Sequence, residues 1–123
     1  MPTLSDRVFD NGLSVLDTEA NKILITSAEA TTYTQANATF ALGNSTSLSI
    51  SAPQDRSGGG REVVIAAITN GSVTTSGTAT HYAIVDTVNS RLLATGSLTN
   101  PGAVVSGNTF TLTSTTVGIP DPV

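Results

Sequence analysis

Arg61-Glu62-Val63-Val64-Ile65-Ala66-Ala67-Ile68 is the stretch that decides the fold, together with Thr78-Ala79-Thr80-His81-Tyr82-Ala83-Ile84-Val85-Asp86 downstream. The first is a short, continuous apolar run, the pattern of a strand covered on both faces and set at the centre of a sheet. Asn70-Gly71 closes it with a hairpin signal. The second stretch alternates with a period of two. Ala79, His81, Ala83 and Val85 share one face, and Thr80, Tyr82 and Ile84 share the other.

Working outward, Lys22-Ile23-Leu24-Ile25-Thr26 reads as a brief buried strand and Leu48-Ser49-Ile50-Ser51 as an alternating one ending at Ala52-Pro53. Thr31 to Thr39 between them reads as a loop with one helical turn. Gln54-Asp55-Arg56-Ser57-Gly58-Gly59-Gly60 reads as a flexible surface loop. Toward the C-terminus, Asn89-Ser90 turns the chain into Arg91 to Gly96, and Asn100-Pro101-Gly102 gives a further turn. Thr109-Phe110-Thr111-Leu112-Thr113 then alternates again. Val117-Gly118-Ile119-Pro120-Asp121-Pro122-Val123 reads as a tail, because two prolines preclude a central strand.

Only the first segment has a helical period. Leu4, Val8, Gly12, Leu16 and Ala20 recur every four residues, with Phe9 and Leu13 beside them, which predicts a helix over residues 5–19. Thr3 or Ser5 can cap it, and Asp6 suits the positive end of its dipole. Asn11-Gly12 opposes the helix, since glycine costs about 1 kcal/mol there relative to alanine. The expected architecture is mainly β: a single-domain antiparallel β-sandwich or small barrel with one N-terminal α-helix. One domain spans 1–123, organised as an N-terminal arm and helix (1–20), a β-domain (21–116) and a Pro-rich C-terminal tail (117–123).

The chain has 123 residues, the size of one ordinary domain. Charged residues make up 11%, less than half the usual share of about 25%. Ser and Thr fill the gap at more than a quarter of the chain. Disordered chains are rich in charge and poor in Val and Ile; this one has the opposite bias and reads as ordered β-structure with a hydroxyl-rich surface. Net charge is -4, and Arg7, Lys22, Arg56, Arg61 and Arg91 are scattered. Nucleic-acid phosphates need clustered cations, so nucleic acid is not an expected partner. A single Lys is few for a freely diffusing protein, which points toward assembly with neighbours. No cysteine is present. No basic stretch followed by an apolar run opens the chain, so no signal peptide or membrane partner is expected.

The residues offer little for catalysis. His81 is the only histidine, and Asp86 lies five positions along the same predicted strand, which puts the two on opposite faces. There is no Gly-x-Ser-x-Gly elbow. His81 reads as a strand residue whose ring bonds to backbone. Asp6, Asp10, Asp17 and Glu19 read as a solvated helix surface, and the remaining carboxylates fall singly, without the spacing of a calcium cage. One histidine and no cysteine leave zinc without ligands. Ser57-Gly58-Gly59-Gly60 lacks the Gly-Lys-Ser/Thr ending of a phosphate loop. No enzyme activity, metal or cofactor is expected.

Thr31 to Ala36, Ala67 to Val73 leading into Gly77 to Asp86, and Arg91 to Gly96 together resemble small virion proteins of tailed bacteriophages, as do the N-terminal helix and Ile119-Pro120-Asp121-Pro122. The resemblance covers nearly the whole chain. It implies a structural role in the virion: a capsid decoration (cement) protein that bridges major capsid subunits, as a homo-oligomer or symmetric array on the particle. Runner-up roles are a tail, baseplate or fibre component, or a virion-surface carbohydrate-binding module, which the few scattered aromatics do not encourage. The candidate partner contacts are Arg56, Gly58, Gly59, Gly60 and Arg61 in the glycine loop, and Ile119, Pro120 and Pro122 in the tail.

Overall fold

The computed structural model of the chain describes residues 6–119. Helix α1 runs Asp6–Glu19, matching the helical period. Leu13 and Leu16, three apart, are buried, and Ala20 follows half-buried. Gly12, in the same expected column, is exposed. α1 packs against strand β4 (Arg61–Ile65), and Glu19 at its end accepts from Arg91 Nη1 at 3.1 Å.

The other strands are β1 (Lys22–Thr26), β2 (Ala41–Ser45), β3 (Gln54–Asp55), β5 (Ile68–Val73), β6 (Gly77–Asp86), β7 (Arg91–Val104), β8 (Thr109–Leu112) and β9 (Thr115–Ile119). They form a six-stranded sheet in the order β7-β6-β1-β2-β5-β8 and a three-stranded sheet in the order β3-β4-β9. Every pairing is antiparallel. The larger sheet is not closed into a barrel. The inward side chains of both sheets meet in one cluster, with Val63 and Ile65 of β4 against Ile23, Ile25 and Ile84 of β1 and β6.

The decisive apolar run is two strands. β4 lies at the centre of the small sheet, as the run predicts, but the chain crosses at Ala66-Ala67 into the larger sheet as β5. β8 and β9 make the same crossing at Thr113-Ser114. The two crossings are in step, since Arg61 pairs with Ile119, Ile65 with Thr115 and Ile68 with Leu112, before the register shifts toward Gly71 and Phe110. Ile65 and Ile68 both point into the core although three residues apart. Strict alternation would put them on opposite faces, so the chain drops one step of phase where it changes sheet.

The second face of β1 and β6 is also covered. Leu24, Ala83 and Val85 form a smaller cluster with Ala30 and Ala36 from the segment after β1, and Tyr33 and Phe40 pack around it. This explains why Ile23-Leu24-Ile25 is apolar without a break. Burying each such aliphatic side chain stabilises the fold by about 1.5–3 kcal/mol. The expected helical turn is present as a π-helical turn over Gln35–Thr39, held by Thr31 N–H donating to Gln35 Oε1 at 2.8 Å and by Lys22 Nζ donating to Asn37 Oδ1 at 3.1 Å.

Two expected turns are strand. Asn70-Gly71 lies inside β5, at a register shift against β8. A Cβ on Gly71 would stand 2.2 Å from Phe110 Cζ, so glycine is needed here for space beneath a ring. Gly96 and Tyr82 repeat the device across β6 and β7, where a Cβ would meet the Tyr82 ring at 2.6 Å. Asn100-Pro101-Gly102 lies inside β7, which carries Leu98 to Pro101 opposite the single residue Thr80. A bulge on an outermost strand tolerates proline's missing N–H, so the signal is real but does not reverse the chain.

Candidate interaction surface

The stretch read as a flexible loop, Gln54 to Gly60, is a hairpin. β3 pairs Gln54 with Glu62 and Asp55 with Arg61, and Arg56 to Gly60 make the turn. Gly58, Gly59 and Gly60 have φ of 89°, 105° and 92°, a left-handed backbone that L side chains resist by about 1–2 kcal/mol per residue. Three in succession require this glycine run. Arg56 N–H donates to Gly60 O and Gly59 N–H to Arg56 O, both at 3.1 Å. The Arg56 guanidinium then folds back over the turn, its Nη1 donating to Gly59 O at 3.0 Å.

Arg56 also reaches β9. A Cβ on Gly118 would lie 3.0 Å from Arg56 Cδ and 3.2 Å from its Nε, so Gly118 leaves the groove in which this side chain rests. Arg61, the first residue of β4, donates from Nη1 to Asp55 Oδ1 at 2.6 Å and from Nη2 to the Pro53 carbonyl at 3.2 Å. The Asp55 side chain is 90% exposed, so solvent screens the pair and its net worth is about 0–1 kcal/mol. Both guanidiniums therefore hold the tip of the small sheet in shape.

β9 completes the tip. Ile119 pairs with Arg61 and is 36% exposed, and its Cδ1 lies 3.6 Å from where a Gly12 Cβ would stand on α1. The structure corrects the tail assignment for Val117, Gly118 and Ile119, which form strand against β4. Among the described residues β9 is outermost in its sheet, a position that tolerates nearby prolines. Six of the expected contact residues, Arg56, Gly58, Gly59, Gly60, Arg61 and Ile119, thus come together on one end of the small sheet. Pro120 and Pro122 lie outside the described residues.

The groups weighed for catalysis are placed apart from this tip. His81 is half-buried, and its Nδ1 stands 2.8 Å from the Thr80 hydroxyl rather than bonding to backbone. Asp86 is 2% exposed and organises the β6–β7 turn. Its carboxylate accepts from Val88 N–H at 3.0 Å and from Asn89 Nδ2 at 2.9 Å. The Asn89 side-chain amide is the main influence holding the Asp86 carboxyl below the usual carboxylate range; burial opposes it, and the Val88 and Asn89 N–H groups and Arg91 add to it. Sequence reasoning missed this role. The available signal was Asp86 followed three residues later by Asn89, a spacing that lets an acidic side chain cap the turn after it. Among the described residues no three His, Cys, Asp or Glu side chains gather as a metal ion would require. No described helix is long and apolar enough to cross a membrane.

No family model, curated protein or solved structure matches the chain.

Proposed function

We propose that the chain is a virion structural protein that decorates a bacteriophage capsid, docking onto major capsid subunits and bridging neighbours in a symmetric array. The observation that carries this reading is the tip of the small sheet. A stiffened glycine turn, the Arg56 and Arg61 side chains that brace it and the outermost strand β9 converge there, beside the point from which residues 120–123 continue. A rigid hairpin with satisfied polar groups loses little conformational freedom on docking, which favours association without a dedicated charge cluster. A hydroxyl-rich surface with few charges also suits a protein packed among neighbours.

The test is copy number per purified particle by quantitative mass spectrometry, alongside particle binding by a chain truncated before Pro120, which leaves β9 whole. Decoration requires a count comparable with the major capsid protein, on the order of hundreds in a closed icosahedral shell, and weaker binding by the truncated chain. A count near a dozen moves the protein to the tail or baseplate. Absence from particles sinks the virion reading.

A further inference from the structure

β7 and β8 are the two ends of the six-stranded sheet, and among the described residues each pairs on one side only. They follow one another through the short link Val105 to Asn108, so they start together and then diverge. Between them runs a trough with two lobes of about 450 and 210 Å³, and Leu98, Thr111 and Leu112 line both lobes. Its walls include Ile25, Ile68, Tyr82 and Phe110.

We propose that this trough takes up an extended, uncharged strand of a partner polypeptide, which closes the sheet by pairing with β8 and sends alternate apolar side chains into the two lobes. Three observations select that occupant. First, β8 is an edge whose outer side pairs with no other described strand, which an added strand satisfies. Second, no Asp, Glu, Lys, Arg or His lines either lobe, although the chain carries five basic and nine acidic residues. A charged segment would lose its hydration there without a counter-ion, whereas a Ser, Thr and aliphatic segment matches walls that are hydroxyl or aliphatic. Third, Thr111 and Leu112 of β8 line both lobes, so the trough runs beside this edge. The trough is also rigidly framed: Phe110 rests on Gly71 and Tyr82 on Gly96, one ring on each strand pair that bounds the opening.

This binding mode does not depend on the virion reading and sits away from the small-sheet tip. The probe is an acetylated, amidated seven-residue peptide of alternating Thr and Val, titrated into the ¹⁵N-labelled full chain and followed by amide shifts and hydrogen exchange. Saturable shifts at Thr109–Leu112 and Leu98–Val104 are expected, with slowed exchange on β8. The same peptide carrying Lys at each Val should not bind. Thr111 and Ala103 line the trough but are exposed, so Thr111→Arg and Ala103→Arg should each weaken the peptide at least tenfold while keeping the native spectrum; two variants guard against one misfolding. Absence of saturable shifts, shifts confined to β3 or β9, or equal binding of the Lys peptide overturns the proposal. Particle binding that survives Thr111→Arg would separate the trough from the decoration role.

Discussion

The small-sheet tip and the outer strands of the large sheet both depend on glycine, for opposite reasons. At the tip, Gly58, Gly59 and Gly60 supply a left-handed backbone and an arginine folds over the result. In the large sheet, Gly71 and Gly96 sit within strands and supply empty space, which the Phe110 and Tyr82 rings fill. One region uses glycine's freedom and the other its lack of a side chain. The same residue type therefore predicts a loop in one place and a tightly packed strand in another. What separates them is the partner across the ladder.

The sharpest way to break this comparison is Gly71→Ala. Its Cβ would overlap the Phe110 ring, and about 3 kcal/mol of stability should be lost, the upper end of overpacking costs. Urea unfolding measures it, and the same substitution in a Phe110→Leu background should cost under about 1 kcal/mol, because the coupled partner is gone. Equal costs in both backgrounds would mean that Gly71 is required for its backbone after all.

Gly59→Ala comes next. Its φ of 105° predicts a loss of about 1–2 kcal/mol, unchanged by Phe110→Leu since the sites share no partner. A neutral result would show that the turn relaxes to another shape.

The smallest effect sharpens the contrast with a third turn, the one capped by Asp86. Its carboxyl is depressed in the folded chain, so the stabilisation it gives is present above the ordinary carboxylate value and is lost as pH falls through the lower folded value. Thermal melts from pH 7 to pH 2 should therefore show stability falling below about pH 4, and less steeply in Asp86→Asn. Identical acid profiles for the two chains would remove Asp86 from the account.

Much of the architecture was legible. The 3.6-residue period at the N-terminus, the alternation from Thr78 to Asp86 and the unbroken Ile23-Leu24-Ile25 run each reported a real element. Ala79, expected to share a face with Ala83 and Val85, instead packs with Ile84 in the main cluster, beyond the register shift at Thr80. What stayed hidden lies where two signals coincide. Val63 to Ile68 is apolar throughout, so the lost step of phase at Ala66-Ala67 leaves no mark on its pattern, and two strands read as one. Asn70-Gly71 and Asn100-Pro101-Gly102 carry turn chemistry, yet the first is overruled by a ring from β8 and the second by pairing with β6; both depend on residues distant in sequence. At the tip, the residues were identifiable but their order was not. The bracing of the turn by Arg56 requires Gly118, more than sixty positions away, to leave room.

The shared alignment of β4–β5 with β8–β9 across the two sheets also bears on how the chain avoids folding wrongly. A strand pair confined to one sheet can slip by one residue and lose only its own face. Here a slip of β8–β9 against β4–β5 would turn Val117 outward in the small sheet and Leu112 and Phe110 outward in the large one, all together. Both halves of the core act as proofreaders of a single alignment. A chain more than a quarter Ser and Thr, with little local sequence to mark its pairing, gains its uniqueness from that double check.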